Sequence, residues 1–138
     1  MIRVVLFDWG NVLRSKTSWR RQREIYSLVN ELRGRGIKTG ILSNNYRLGA
    51  IIVRLLGDLR GFDPVILSCY EGFRKPEKQI FEIAIKRTGY RPSEIIFVDN
   101  VNENIDAAKK AGLKTILVKN TSQTINDIKT AITKQNKN

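Results

Sequence analysis

The sequence predicts an α/β fold, a parallel five-stranded sheet with helices on both faces. Three observations predict it. Five short apolar, β-branched runs recur along the 138 residues. Stretches with apolar residues at helical spacing separate them, and the alternation continues to the end of the chain. The length suits one domain with a single core.

The elements follow in order. Arg3-Val-Val-Leu-Phe7 is compact and apolar, as a strand buried on both faces must be. A helix is expected near 18–33, where Ile25, Leu28, Val29 and Leu32 share one face, with Gly34 and Gly36 ending it. Ile37–Leu42 reads as the second strand, and 47–57, with Leu48, Ile52, Leu55 and Leu56, as the second helix. Val65–Ser68 is a short third strand. Pro76 suits the first turn of a third helix, because its fixed φ fits there and its missing N–H is no loss; Phe81, Ala84 and Ile85 supply that helix's buried stripe. Ile95–Val98, 102–111 and Thr115–Val118 complete the strand, helix, strand sequence, and Ile125, Ile128 and Ile132 line a last helix. The expected organisation is a Rossmann-like three-layer core over residues 1–120, with 121–138 as a packed C-terminal helix ending in a frayed polar tail.

Composition narrows the chemistry. There is no histidine, which excludes Ser-His-Asp and Cys-His pairs and nearly every His-based zinc site. One cysteine, Cys69, excludes an internal disulfide and cysteine metal clusters. Arg74 lies five residues after it rather than six, without a glycine-rich cradle, so Cys69 reads as a small apolar residue. Carboxylate, hydroxyl, amide and amine chemistry remains, and near neutral pH such groups commonly work with a hard cation held by oxygen. With no run of 18 apolar residues and no signal-like start, a cytoplasmic protein without a membrane span is expected. The net charge of +12 attracts anions.

In a parallel sheet the binding crevice lies beyond the carboxyl ends of the strands. There the sequence places Asp8, then Ser43-Asn44-Asn45, then Lys75 ahead of the third helix, and Asp99-Asn100. Two carboxylates, a hydroxyl and an ammonium suffice for metal-assisted phosphoryl transfer through an aspartyl-phosphate. Other readings stay open: Asp8 or Ser43 as a helix cap, Lys75 as a surface lysine, Asp99-Asn100 as a turn.

Val5-Leu-Phe-Asp8-Trp-Gly10-Asn-Val-Leu13, Ile41-Leu-Ser43-Asn-Asn45, Arg74-Lys75-Pro76 and Phe97-Val-Asp99-Asn100-Val-Asn-Glu-Asn104 together resemble the haloacid dehalogenase-like hydrolase superfamily, over residues 3–118 and in family order. The resemblance implies a Mg²⁺-dependent phosphatase-like hydrolase. Asp8 would be the nucleophile; Asp8, the Gly10 carbonyl and Asp99 would hold the metal. Ser43 would bind the transferring phosphoryl oxygens and Lys75 would offset their charge. Asn44, Trp9 and Arg20 are the candidate substrate contacts, and Asn100 and Asn104 would support the metal loop. Two positions depart from the family pattern. Gly10 stands where phosphatases of the superfamily usually carry a general-acid Asp, although some members of this branch also have Gly there. Asn100 replaces an acid in the last motif. The departures keep a second reading open, a catalytically weak relative that binds a phosphorylated ligand or nucleic acid; a haloacid dehalogenase is a more distant one.

Only 35 residues separate Asp8 from Ser43 and 32 separate Ser43 from Lys75, so neither usual insertion point has room for a cap domain. A capless member implies a macromolecular phosphorylated substrate, such as a nucleic-acid end, or a cap lent by a neighbouring copy in a homo-oligomer. Arg14, Lys16, Arg20, Arg21 and Arg23 crowd the place where a cap would begin, with no acid before Glu24. Trp19 lies among them, suited to stacking on a base, while a solvated helix face is the plainer alternative.

Overall fold

The computed structural model describes residues 1–15, 18, 20–55 and 59–135. The strands are β1 (Val4–Phe7), β2 (Lys38–Ser43), β3 (Val65–Leu67), β4 (Ile95–Asp99) and β5 (Lys114–Leu117). The helices are α1 (Arg23–Gly34), α2 (Arg47–Leu55), α3 (Ser68–Glu71), α4 (Lys78–Thr88), α5 (Asn102–Lys110) and α6 (Thr121–Gln135), with a 3₁₀ turn at Pro92–Glu94. The strands form one parallel sheet in the order β3-β2-β1-β4-β5.

Strand periodicity sorts β1 into both layers, since successive side chains point to opposite faces. Val5 and Phe7 join Ile25, Leu28, Val29 and Leu32 of α1, Ala50 and Val53 of α2, and Ile128 and Ile132 of α6. Val4 and Leu6 join Ile80, Phe81 and Ala84 of α4 and Ile105 and Ala108 of α5. All four β1 residues are fully buried, which is why the run contains no polar residue. Gly40 of β2 lies where a Cβ would stand 2.7 Å from both the Pro64 carbonyl oxygen and Leu6, so the strand has room only for glycine.

Two expectations are corrected. The first helix starts at Arg23, not near 18, because the chain after β1 first turns back on itself. Arg14 pairs through its backbone with Gly10 on one side and Arg21 on the other, and Ser15 N–H donates to the Arg20 carbonyl at 2.9 Å. Pro76 is not in the first turn of the helix expected there, which is α4 and begins at Lys78. A reciprocal turn fixes this start: Arg74 N–H donates to Glu77 Oε1 at 2.9 Å and Glu77 N–H to the Arg74 carbonyl at 2.8 Å. The second helix is described to Leu55; its expected end at 56–57 falls outside the described residues, as do Lys16, Trp19 and the last three residues of the tail. No inserted domain interrupts the connections after β1 or β2 among the described residues, and none of their helices is long and apolar enough to cross a membrane.

Candidate active site

Parallel pairing in register brings the ends of β1, β2 and β4 together, with Phe7 opposite Ile41 and Val98. Asp8 leaves the sheet at the end of β1, Ser43 and Asp99 are the last residues of β2 and β4, and Lys75 arrives from the loop before α4. The Lys75 ammonium joins them. Its Nζ lies 3.1 Å from Asp8 Oδ1 and 2.7 Å from Asp99 Oδ2, and donates to the Leu42 carbonyl at 2.9 Å. Beneath it, 5.4 Å away, is the face of Phe97. Lys75 and Asp99 are buried, and only Asp8 keeps some exposure, 15% of its side chain.

Each charged group is braced. Asp99 Oδ2 also accepts from Asn104 Nδ2 at 3.1 Å, and Asp99 Oδ1 accepts the Val101 N–H at 3.0 Å, the bond expected of the turn reading of this residue. The Asn44 amide accepts the Lys75 N–H at 2.9 Å and donates to the Lys75 carbonyl at 3.0 Å, holding the loop that delivers the ammonium. Asp8 Oδ1 accepts the Trp9 N–H at 2.9 Å. Burial pushes the Asp8 carboxyl up to about 6, against the opposing pull of Lys75 and with Asp99 adding to the rise. With two carboxylates around one ammonium, the cluster carries more negative than positive charge.

A hard divalent cation suits this donor set. Two carboxylates meet at the Lys75 ammonium, and the Gly10 carbonyl belongs to the loop directly after Asp8, so the oxygen donors a hard cation prefers are gathered at this sheet edge. Among the described residues no three His, Cys, Asp or Glu side chains gather, so protein carboxylates offer such an ion two ligands rather than three.

The cap readings of Asp8 and Ser43 do not fit, since α1 begins at Arg23 and α2 at Arg47. Ser43 is buried at the end of β2, and Asn100 follows Asp99 half-buried. Two substrate candidates lie elsewhere. The Trp9 ring is 5% exposed and packs in the core layer of Val5 and Phe7, leaving its backbone N–H for the site. Arg20 is exposed and lines, with Arg14, Arg21 and Arg23, a recess of about 940 Å³ beside α1 rather than the Asp8 cluster. The Leu42 carbonyl and the Val101 N–H were not anticipated, because backbone groups carry no signature in sequence. Neither was Ser68, whose hydroxyl accepts the Asn45 N–H at 3.0 Å.

Lys75→Met leaves Asp99 buried without its cation and is expected to cost about 3–5 kcal/mol in chemical denaturation. The double variant Lys75→Met, Asp99→Asn removes the orphaned charge and should recover part of the loss. Equal instability of the two would show that charge pairing is not what Lys75 contributes.

A family model described as haloacid dehalogenase-like hydrolase matches residues 23–112. Over 90 residues the chain is 37% identical to mouse acyl-CoA dehydrogenase family member 10, covering 65% of this chain and 8% of that protein. It is also 37% identical over 95 residues to the glyceraldehyde 3-phosphate phosphatase of Methanothermobacter thermautotrophicus, covering 67% of this chain and 42% of that one. The chain thus spans less than half the length of either relative. Among solved structures, an uncharacterized protein from Corynebacterium glutamicum superposes with a TM-score of 0.82 at 27% identity, covering 95% of both chains. A HAD family enzyme from Bacteroides thetaiotaomicron, solved with magnesium and inorganic phosphate, superposes with a TM-score of 0.73 at 17% identity, covering 86% of this chain and 95% of that one.

Proposed function

Because the chain belongs to the haloacid dehalogenase-like hydrolases, we propose that it is a phosphatase that works through an aspartyl-phosphate on Asp8. The observation that carries this reading is the Lys75 ammonium within 3.1 Å of Asp8 and 2.7 Å of Asp99. Such a site can hold a dianionic phosphoryl group next to two carboxylates without prohibitive repulsion.

An Asp8 carboxylate oxygen attacks phosphorus. The new O–P bond forms as the bond to the leaving oxygen breaks, and the leaving group departs with the electron pair. Water then attacks phosphorus and releases phosphate and free Asp8. Lys75 offsets the negative charge at both stages, and the Ser43 hydroxyl donates to a phosphoryl oxygen. Asn104 keeps Asp99 oriented, and Asn44 keeps the Lys75 loop in place. Mg²⁺, held by Asp8, Asp99 and the Gly10 carbonyl, would supply charge stabilisation for the transferring group. With glycine at position 10 there is no carboxylic acid two residues after Asp8 to protonate the leaving oxygen, so substrates with stable leaving anions are favoured over alkyl phosphates.

The test is phosphate release from 4-nitrophenyl phosphate with added Mg²⁺, followed by borohydride quenching during turnover. Reduction of an acyl phosphate at Asp8 yields homoserine at that position, which peptide mass spectrometry detects. Phosphate release without homoserine at position 8 would overturn the covalent route, and no phosphate release would favour a binding protein.

A role for the arginine recess in drawing in polyanionic substrates is favoured by one observation: Arg14, Arg20, Arg21 and Arg23 line it, with no acidic residue in its walls among the described residues. Replacing Arg20, Arg21 and Arg23 with serine is expected to weaken equilibrium binding of an oligonucleotide, read as Kd, and to flatten the salt dependence of that binding. An unchanged salt slope removes the recruiting role.

A further inference from the structure

A second recess, of about 360 Å³, opens next to the Asp8 cluster and is walled by the start of α2 and the loop that follows α3. Asn44 belongs to both places. It lines this recess, and its amide clasps both backbone groups of Lys75. The recess is therefore tied to the Lys75 loop through Asn44 and through Arg74, the residue before Lys75.

The walls have a specific chemistry. Arg47 and Arg74 contribute two guanidinium groups, and neither has an ion-pair partner among the described residues. Glu77 is the one acid of the lining, and its Oε1 accepts the Arg74 backbone N–H. Two aromatic rings stand at the same recess, Tyr46 at 83% exposure and Phe73 at 36%, neither taken up by the core. Exposed rings beside unpaired guanidinium groups suit a flat apolar body that carries an anion. The volume lies at the small end of ligand pockets, which limits that body to about one ring and its substituent.

We infer that this recess binds the leaving group of the substrate, and that the leaving group is an aromatic ring bearing a carboxylate or similar anionic substituent read by Arg47 and Arg74. The inference rests on the phosphatase reading for the bond that is broken, but not for the binding itself. It also agrees with Gly10: an aryl oxide leaves as an anion, with its electron pair, and needs no proton from the enzyme. The recess supplies affinity and orientation, and the ring supplies the stability of the departing oxygen.

Calorimetric titration of the full chain with 4-hydroxybenzoate, phenol and 4-hydroxycyclohexanecarboxylate separates the components of the claim. 4-Hydroxybenzoate is expected to bind about tenfold or more tightly than phenol, from charge-assisted hydrogen bonds to guanidinium, and more tightly than the saturated acid. Arg47→Met should weaken it by a similar factor, as should Arg74→Met. Equal affinity for phenol and 4-hydroxybenzoate, or indifference to both substitutions, overturns the inference. Turnover provides the second arm. The kcat/KM for 4-carboxyphenyl phosphate should exceed that for phenyl phosphate, with the ratio falling toward one when both arginines are replaced. Arginine-dependent binding without phosphate release would uphold the recess and reject the phosphatase reading. Phosphate release with no preference for the carboxylate would do the reverse.

Discussion

Asp8→Asn is expected to lose phosphate release from an aryl ester by on the order of 10³-fold or more, while making the metal-free protein more stable at pH 8. The two effects have one origin. An amide oxygen is a poor nucleophile toward phosphorus, so the covalent route closes. The same amide removes a carboxylate that the fold ionises at a cost. Burial raises the Asp8 carboxyl from 3.8 to about 6, even with Lys75 beside it. For an acid whose folded value lies above its unfolded one, the cost is absent below about 3.8, grows as pH rises, and is complete above about 6. A gap of about two pH units corresponds to about 3 kcal/mol. In EDTA, Asp8→Asn should therefore melt above the wild type at pH 8, and the two should converge toward pH 4. A divalent ion reverses the balance, because it stabilises ionised Asp8 in the wild type alone, so added Mg²⁺ should narrow the difference at pH 8. A variant that keeps its phosphatase activity, or one that melts below the wild type in EDTA at pH 8, contradicts this account.

What the sequence shows of this site depends on which physical constraint reaches it. Strands buried on both faces admit only apolar residues, so the runs at Val4–Phe7 and Ile95–Val98 are legible, and the polar residue that ends each run marks the crevice. Asp8 and Asp99 are found that way. Lys75 has no periodic signal of its own; it is legible through the resemblance to the superfamily, and its clasp by Asn44 is not visible at all. The misplacement of Trp9 had a signal against it. Val5, Phe7 and Trp9 alternate, and the structure puts all three in one layer, so the strand's period of two extends past Asp8. The turn back is held by backbone pairing of Arg14 with Gly10 and with Arg21, which carries no signature in side-chain pattern, and a helix extrapolated from Ile25 and Leu28 overruns it. The recess at Tyr46 and Phe73 depends on α3, four residues long, too short for any helical spacing to repeat.

Gly10→Asp should raise turnover of an alkyl phosphate such as glycerol phosphate by about 10²-fold or more, the lower range of what general-acid catalysis supplies, and leave an aryl phosphate nearly unchanged. The structure permits the side chain. A Cβ at this position would meet nothing within 4 Å, and Gly10 is not among the residues with positive φ, so an L-residue adopts its backbone without strain. The new carboxyl follows the nucleophile by two residues, and in its protonated form would be the proton donor that the leaving oxygen lacks. An alkoxide leaving group depends on that proton, whereas an aryl oxide departs without it, so the benefit should scale with leaving-group basicity. Gly10→Asn supplies the same bulk and polarity with no acidic proton, and should leave the alkyl rate low. If Asp and Asn at position 10 act alike, or if alkyl and aryl substrates gain equally, the missing acid is not what limits turnover. A selective gain would instead trace the leaving-group preference to a single absent carboxyl.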